Sequence, residues 1–263
     1  MRFKGLANAG LYRATGYKIV NADRLRPAGP RPRGRLASEV PGHYDDDVKR
    51  IIAAVRARTM TAHEKLHALV IATRYVVAHG IGGDIVECGV WRGGSMQAVA
   101  LALRAAGVGD RELHLFDTFE GMTEPTDEDR AMDGTPAAEL LERSPRTARV
   151  WAEASLEDVR AGMAETGYPA ERVHYHVGPV EETIPGEAPQ TIALLRLDTD
   201  WYESTRHELE HLYDRVSPGG VVIADDYATW QGARKAVDEF LERTGAPLLL
   251  VPIAAGRIAV KPR

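Results

Sequence analysis

Short apolar runs that close on an acid or a glycine, spaced by helix-length amphipathic segments, constrain this chain more than any other feature. Strands are expected at 85–89, 113–117, 173–177, 192–197 and 221–225, with helices at 95–106, 156–166, 203–216 and 233–243. Parallel neighbours need a crossover, so this order predicts an α/β fold: a mostly parallel sheet with helices on both faces. Residues 248–253 and 258–260, joined through Ala254-Ala255-Gly256, read as a closing hairpin that brings the sheet to seven strands. Upstream, Thr61 and Glu64 form a capping box for a helix that runs past Val77 and stops at Gly80, Gly82 and Gly83.

Two segments fall outside this alternation. Residues 24–35 are rich in Pro, Gly and Arg, and a helical pattern starts only at Asp46, so residues 1–50 are read as an N-terminal helical arm ahead of a domain over 51–263. The stretch 118–150, with Gly121, Pro125, Gly134, Pro136 and Pro145, is too long for a simple connection and is read as an inserted lid.

The chain is 44% hydrophobic and 27% charged, ordinary for a globular protein. Its net charge of −5 argues against nucleic acid as a partner, which leaves small molecules and further copies of the chain, as a homodimer or larger homo-oligomer. The single cysteine, Cys88, permits no intrachain disulfide, and no apolar run has the length of a signal or a membrane span. A cytoplasmic enzyme without membrane contact is expected.

The first strand ends in Asp84-Ile-Val-Glu-Cys-Gly-Val-Trp-Arg-Gly-Gly-Ser95, a glycine-rich turn into a helix. Glycine lets a ligand approach the backbone, and a helix N-terminus offers free N–H groups to an anion. Asp117 closes the second strand, 28 residues after Gly89, where an acid serves as acceptor for ribose hydroxyls or as a helix cap. Together these features point to a nucleoside ligand. Asp198-Thr-Asp200 and Asp225-Asp226 follow the fourth and fifth strands, at the sheet edge where open α/β folds bind ligands. Four carboxylates gathered there repel one another unless a cation stands between them, and oxygen-only ligation suits Mg²⁺. Trp91, Trp201 and Trp230 each flank one of these motifs, as core or as pocket wall.

The runs VECGVWRGGS, FDTFEGM, LLRLDTDWYEST and GGVVIADDYATWQGARKAVDEF resemble the macrocin O-methyltransferase family, sugar O-methyltransferases of antibiotic biosynthesis, and are similar to noviose O-methyltransferase. The resemblance runs from about residue 55 to the C-terminus. It implies a Rossmann-like class I fold and transfer of a methyl group from S-adenosylmethionine (SAM) to a hydroxyl of a glycosylated small-molecule acceptor. It places cofactor contacts on Glu87, Gly89, Trp91, Arg92, Gly93 and Ser95, with Asp117 on the ribose and Thr59, Met60 and Thr61 covering the cofactor. It implies Mg²⁺ on Asp198, Asp225 and Asp226, and leaves Asp200 as catalytic base, with Asp198 itself or a lid histidine as alternatives.

Two rivals are weighed. An NAD-dependent oxidoreductase shares the fold and the ribose acid, but the G-x-G-x-x-G turn is missing. His207-Glu208-Leu-Glu-His211 spells the zinc-protease signature H-E-x-x-H. Helical spacing groups Leu209, Leu212, Tyr213 and Val216 on one apolar face and sets both histidines on the opposite, solvated one.

Overall fold

The computed structural model describes residues 40–262, so most of the expected arm lies outside the described residues. Two helices lead in, α1 (Asp46–Val55) and α2 (His63–Ala78). Asp45 caps α1, its Oδ1 accepting from the Val48 N–H at 2.8 Å. The expected capping box is not used. Ala62 is the N-cap residue of α2 and offers no side-chain bond, while Thr61 Oγ1 accepts from Arg196 at 3.1 Å instead.

The core alternates as expected: β1 (Asp84–Cys88), α3 (Gly94–Ala105), β2 (Leu113–Asp117), α4 (Ala137–Glu142), α5 (Leu156–Glu165), β3 (Val173–Val177), α6 (Val180–Thr183), β4 (Ile192–Leu197), α7 (Tyr202–Leu212), β5 (Val216–Ala224), α8 (Gln231–Thr244), β6 (Val251–Ile253) and β7 (Gly256–Val260). The seven strands form one sheet in the order β3-β2-β1-β4-β5-β7-β6, parallel except where β7 pairs with β5 and β6. The helix expected to reach Val216 ends at Leu212, and Val216 opens β5.

Alternation along each strand feeds two cores. Ile85, Leu194 and Ile223 pack with Leu69, Met96 and Leu103 on one face. Val86, Leu195 and Val222 pack with Leu209, Leu212 and Phe240 on the other. The chain moves outward from β1 through β2 to β3 and then returns to lay β4 on the other side of β1. That reversal opens a crevice above the carboxyl ends of β1 and β4, the place where such sheets bind ligands. Among the described residues no helix is long and apolar enough to cross a membrane.

The insertion is docked rather than free. Ala137 and Leu141 pack on Trp201, Trp230 and Ala233, and Ala131 bridges to Trp230. Buried Asp129 receives the Tyr202 N–H at 2.7 Å and the Thr126 N–H at 2.8 Å, so a carboxylate of the insertion meets the start of α7.

Candidate active site

A cavity of about 460 Å³ opens at the switch point. Its walls include Met60 and Thr61 ahead of α2, Gly89 and Trp91 after β1, and Phe116 and Asp117 at the end of β2. Asp198, Thr199 and Asp200 after β4, and Asp225 and Asp226 after β5, complete the acidic side. Gly89 is required here: its φ is +82°, and a Cβ would stand 2.2 Å from the Asp198 carbonyl oxygen. The β1 turn and the acidic loop after β4 therefore touch backbone to backbone.

Asp117 holds the glycine-rich turn as well as facing the cavity. Its Oδ2 accepts the N–H groups of Val90 at 2.6 Å and Trp91 at 3.0 Å, and its Oδ1 accepts Phe119 N–H at 2.7 Å. Burial raises its pKa, and these three donors oppose the rise. Thr118 Oγ1 lies 3.5 Å from Oδ1 but donates to the Gly121 carbonyl at 2.8 Å, so of a carboxylate's about four lone-pair directions one remains for a ribose hydroxyl.

The expected repulsion among the acids is answered by two basic side chains that sequence reasoning did not single out. Arg196, 2% exposed, pairs with Glu87, with Asp198 Oδ2 at 2.7 Å and with Asp225 Oδ1 at 2.8 Å. Glu87 and Arg196 are register partners across β1 and β4, which puts their side chains on one face. Lys65 of α2 donates to the Asp225 carbonyl at 2.9 Å and pairs with the Asp225 carboxylate. A charged residue inside the apolar runs IVEC and LLRL was the visible signal for the first pair. For Lys65 there was none, because helical position alone does not say which strand end the first turn meets.

Burial opposes the Asp225 charge, but Arg196 and Lys65 outweigh it and hold the carboxyl below its ordinary value. Burial and neighbouring acids push Asp226 and Asp198 well above theirs, although Arg196 pulls Asp198 back. One oxygen each of Asp198, Asp225 and Asp226 lies within 4.8 Å of the others, and Asp226 Oδ2 is buried without a hydrogen-bond partner. Such a donor set fits a hard divalent cation. Asp200 sits in the left-handed region at φ +69°, its Oδ1 accepting from Trp230 Nε1 at 2.6 Å. Burial and then Asp198 raise its pKa to about 7.

Of the residues assigned to the cofactor, Met60, Thr61, Gly89, Trp91 and Asp117 line the cavity. Thr59, Glu87, Arg92, Gly93 and Ser95 are not among its lining residues and shape it from behind. Thr59 Oγ1 accepts from the Thr61 N–H at 3.0 Å, and Glu87 anchors Arg196. Gly93 takes φ +78° to start α3, and Ser95 Oγ lies 3.4 Å from Thr61 Oγ1. The Arg92 guanidinium turns to Asp158, with Nε 2.7 Å from Oδ2, and to the Ala57 carbonyl. Residues 118–150 contain no histidine, and none lines the cavity among the described residues, which removes that alternative for the base. Trp230 is both core and wall, whereas Trp201 is core.

The H-E-x-x-H segment also departs from expectation. His207 is half-buried with Nε2 2.9 Å from the Ile184 carbonyl, and Glu208 is completely buried against Thr199 and Cys88.

A model of the macrocin-O-methyltransferase (TylF) family matches residues 45–254. The chain belongs to that family. It is a SAM-dependent O-methyltransferase, which sets aside the oxidoreductase reading. It is 39% identical over 189 residues to the 8-demethyl-8-(2,3-dimethoxy-alpha-L-rhamnosyl)-tetracenomycin-C 4'-O-methyltransferase of Streptomyces olivaceus, covering 72% of this chain and 69% of the relative. It is 35% identical over 184 residues to the demethyldecarbamoylnovobiocin O-methyltransferase of Streptomyces niveus, covering 70% and 68%. The solved O-methyltransferase NovP superposes with a TM-score of 0.69 at 32% identity, covering 78% of this chain and 83% of that one.

Proposed function

We propose that this enzyme methylates a hydroxyl of a sugar attached to a natural product in antibiotic biosynthesis, assisted by Mg²⁺ held on Asp198, Asp225 and Asp226. The observation that carries the metal part is the convergence of these three carboxylates at the switch point, two of them with a buried oxygen that has no hydrogen-bond partner among the described residues. The sugar part rests on the glycosylated compounds named for the relatives.

The acceptor oxygen attacks the sulfonium methyl carbon in line, the C–S bond breaks to leave S-adenosylhomocysteine, and the hydroxyl proton must depart. Phe116, Pro179 and Val180 give the cavity an apolar slot beside the Asp117 carboxylate, a combination suited to a base and its ribose. The turn from Gly89 to Trp91 brings backbone close to the cofactor. When bound, the cation supplies orientation of neighbouring substrate oxygens and a lowered hydroxyl pKa. Asp200, fixed by Trp230 at the cavity wall, receives the proton. Holding the reactants in line is worth roughly 7–11 kcal/mol in well-oriented reactions.

Mass spectrometry of glycosylated acceptors and their aglycones, incubated with enzyme and SAM, tests this. Methylation of the glycosides alone, lost with EDTA and restored by Mg²⁺, is expected. Transfer to the aglycones overturns the sugar assignment, and full activity under EDTA overturns the metal. Asp200→Asn is expected to lower kcat about 10²–10⁴-fold with S-adenosylhomocysteine affinity kept.

A further inference from the structure

Lys65 stands in the first turn of α2, directly after the segment that walls the cavity. Its side chain is 10% exposed, and its ammonium meets both the carbonyl and the carboxylate of Asp225. Arg196 takes the other Asp225 oxygen at 2.8 Å. Asp225 thus carries two resident cations before any ion arrives, one at each oxygen, while Asp225 Oδ1 and Asp226 Oδ2 have no hydrogen-bond partner among the described residues.

The two resident cations differ in freedom. Arg196 is fixed by Glu87, Asp198, Asp225 and Thr61, so it is part of the framework. Among the described residues Lys65 bonds to Asp225 alone, through a flexible four-carbon stem that carries a compact charge. It is the cation that can yield.

Building on the Mg²⁺ reading, we propose that Lys65 sets the affinity of this site for its divalent cation by occupying Asp225 in the cation's absence and competing with it when it arrives. The arrangement has two consequences. Three acids, Asp225 and Asp226 buried and Asp198 half-buried, stay assembled without an ion, because a positive charge already sits among them. The ion then binds more weakly than the same acids would hold it alone, because it meets a like charge at a few ångströms.

The test is calorimetric titration of the chelator-stripped full-length enzyme with Mg²⁺, in the wild type and in Lys65→Met. S-adenosylhomocysteine binding serves as the folding control. The expected result is a Kd for Mg²⁺ about tenfold or more lower in Lys65→Met. The stripped variant should melt below the stripped wild type, with the gap closing as Mg²⁺ is added. Lys65→Gln provides the same loss of charge if the methionine variant does not fold, and Lys65→Arg, which keeps the charge, should retain wild-type affinity. Unchanged or weaker Mg²⁺ binding in the neutral variants, beside measurable binding in the wild type, overturns the role of Lys65 and leaves the metal reading standing. Absence of Mg²⁺ binding in every form overturns both.

Discussion

A buried guanidinium near the end of a central strand is tolerable only where acids answer it, and Arg196 is answered by three. Removing it leaves Glu87 and Asp225 buried, and Asp198 half-buried, without their shared counter-charge. Arg196→Met is therefore expected to lose about 3–5 kcal/mol of stability, the range for breaking a buried pair from one side; a loss below about 1 kcal/mol in urea denaturation contradicts that role. Glu208 presents the opposite case, a buried acid without a cation. Burial raises its pKa well above the ordinary value, so the folded protein keeps it protonated while the unfolded chain ionises it near ~4.3. Its contribution is fully present below that pH and is lost as the pH rises above it. Glu208→Gln should thus match the wild type near pH 4 and exceed it increasingly towards pH 8, and parallel urea midpoints across that range would refute the buried neutral acid. Its burial was partly legible: Thr205, Glu208, Leu209 and Leu212 form one helical stripe, but a charged side chain in such a stripe is normally assigned to solvent.

At the scale of elements, the alternation of strands and helices was legible because burial imposes period two on strands and 3.6 on helices. Boundaries were less so. The end of α7 was overrun, because Tyr213 and Val216 continue the apolar stripe although the chain has already turned into β5. The insertion was recognisable by its length, but its docking depends on contacts far apart in sequence: Asp129 with Tyr202, and Ala131 with Trp230. Asp129→Ala removes an acceptor at the start of α7, a loss of about 0.5–2 kcal/mol by analogy with helix caps. Hydrogen exchange should quicken across 120–150 while β1, β4 and β5 keep their protection; uniform quickening would mean that the insertion is part of the main cooperative unit.

Across the whole molecule, ligand and fold are linked by mass action. At 100 times its Kd, S-adenosylhomocysteine should add about 2.7 kcal/mol to the folded state, a rise in Tm of roughly 5–10 °C for a chain of this size. NAD at the same concentration should give no shift, and an equal response to both would break the link between the cavity and a methyl donor. The sequence by itself determined the α/β class, the turn after β1 and the acids at the strand ends, since each follows from local spacing and residue type. Its motifs also carried the family, which the match over residues 45–254 bears out. Only the tertiary structure decided that Arg92 turns to Asp158, that Asp117 holds the turn it faces, and that Lys65 and Arg196 stand among the acids. The physical reason is range: periodicity and turn chemistry act over a few residues, whereas charge compensation is satisfied by whichever side chains the crossovers bring within a few ångströms, here from α2, β1, β4 and β5.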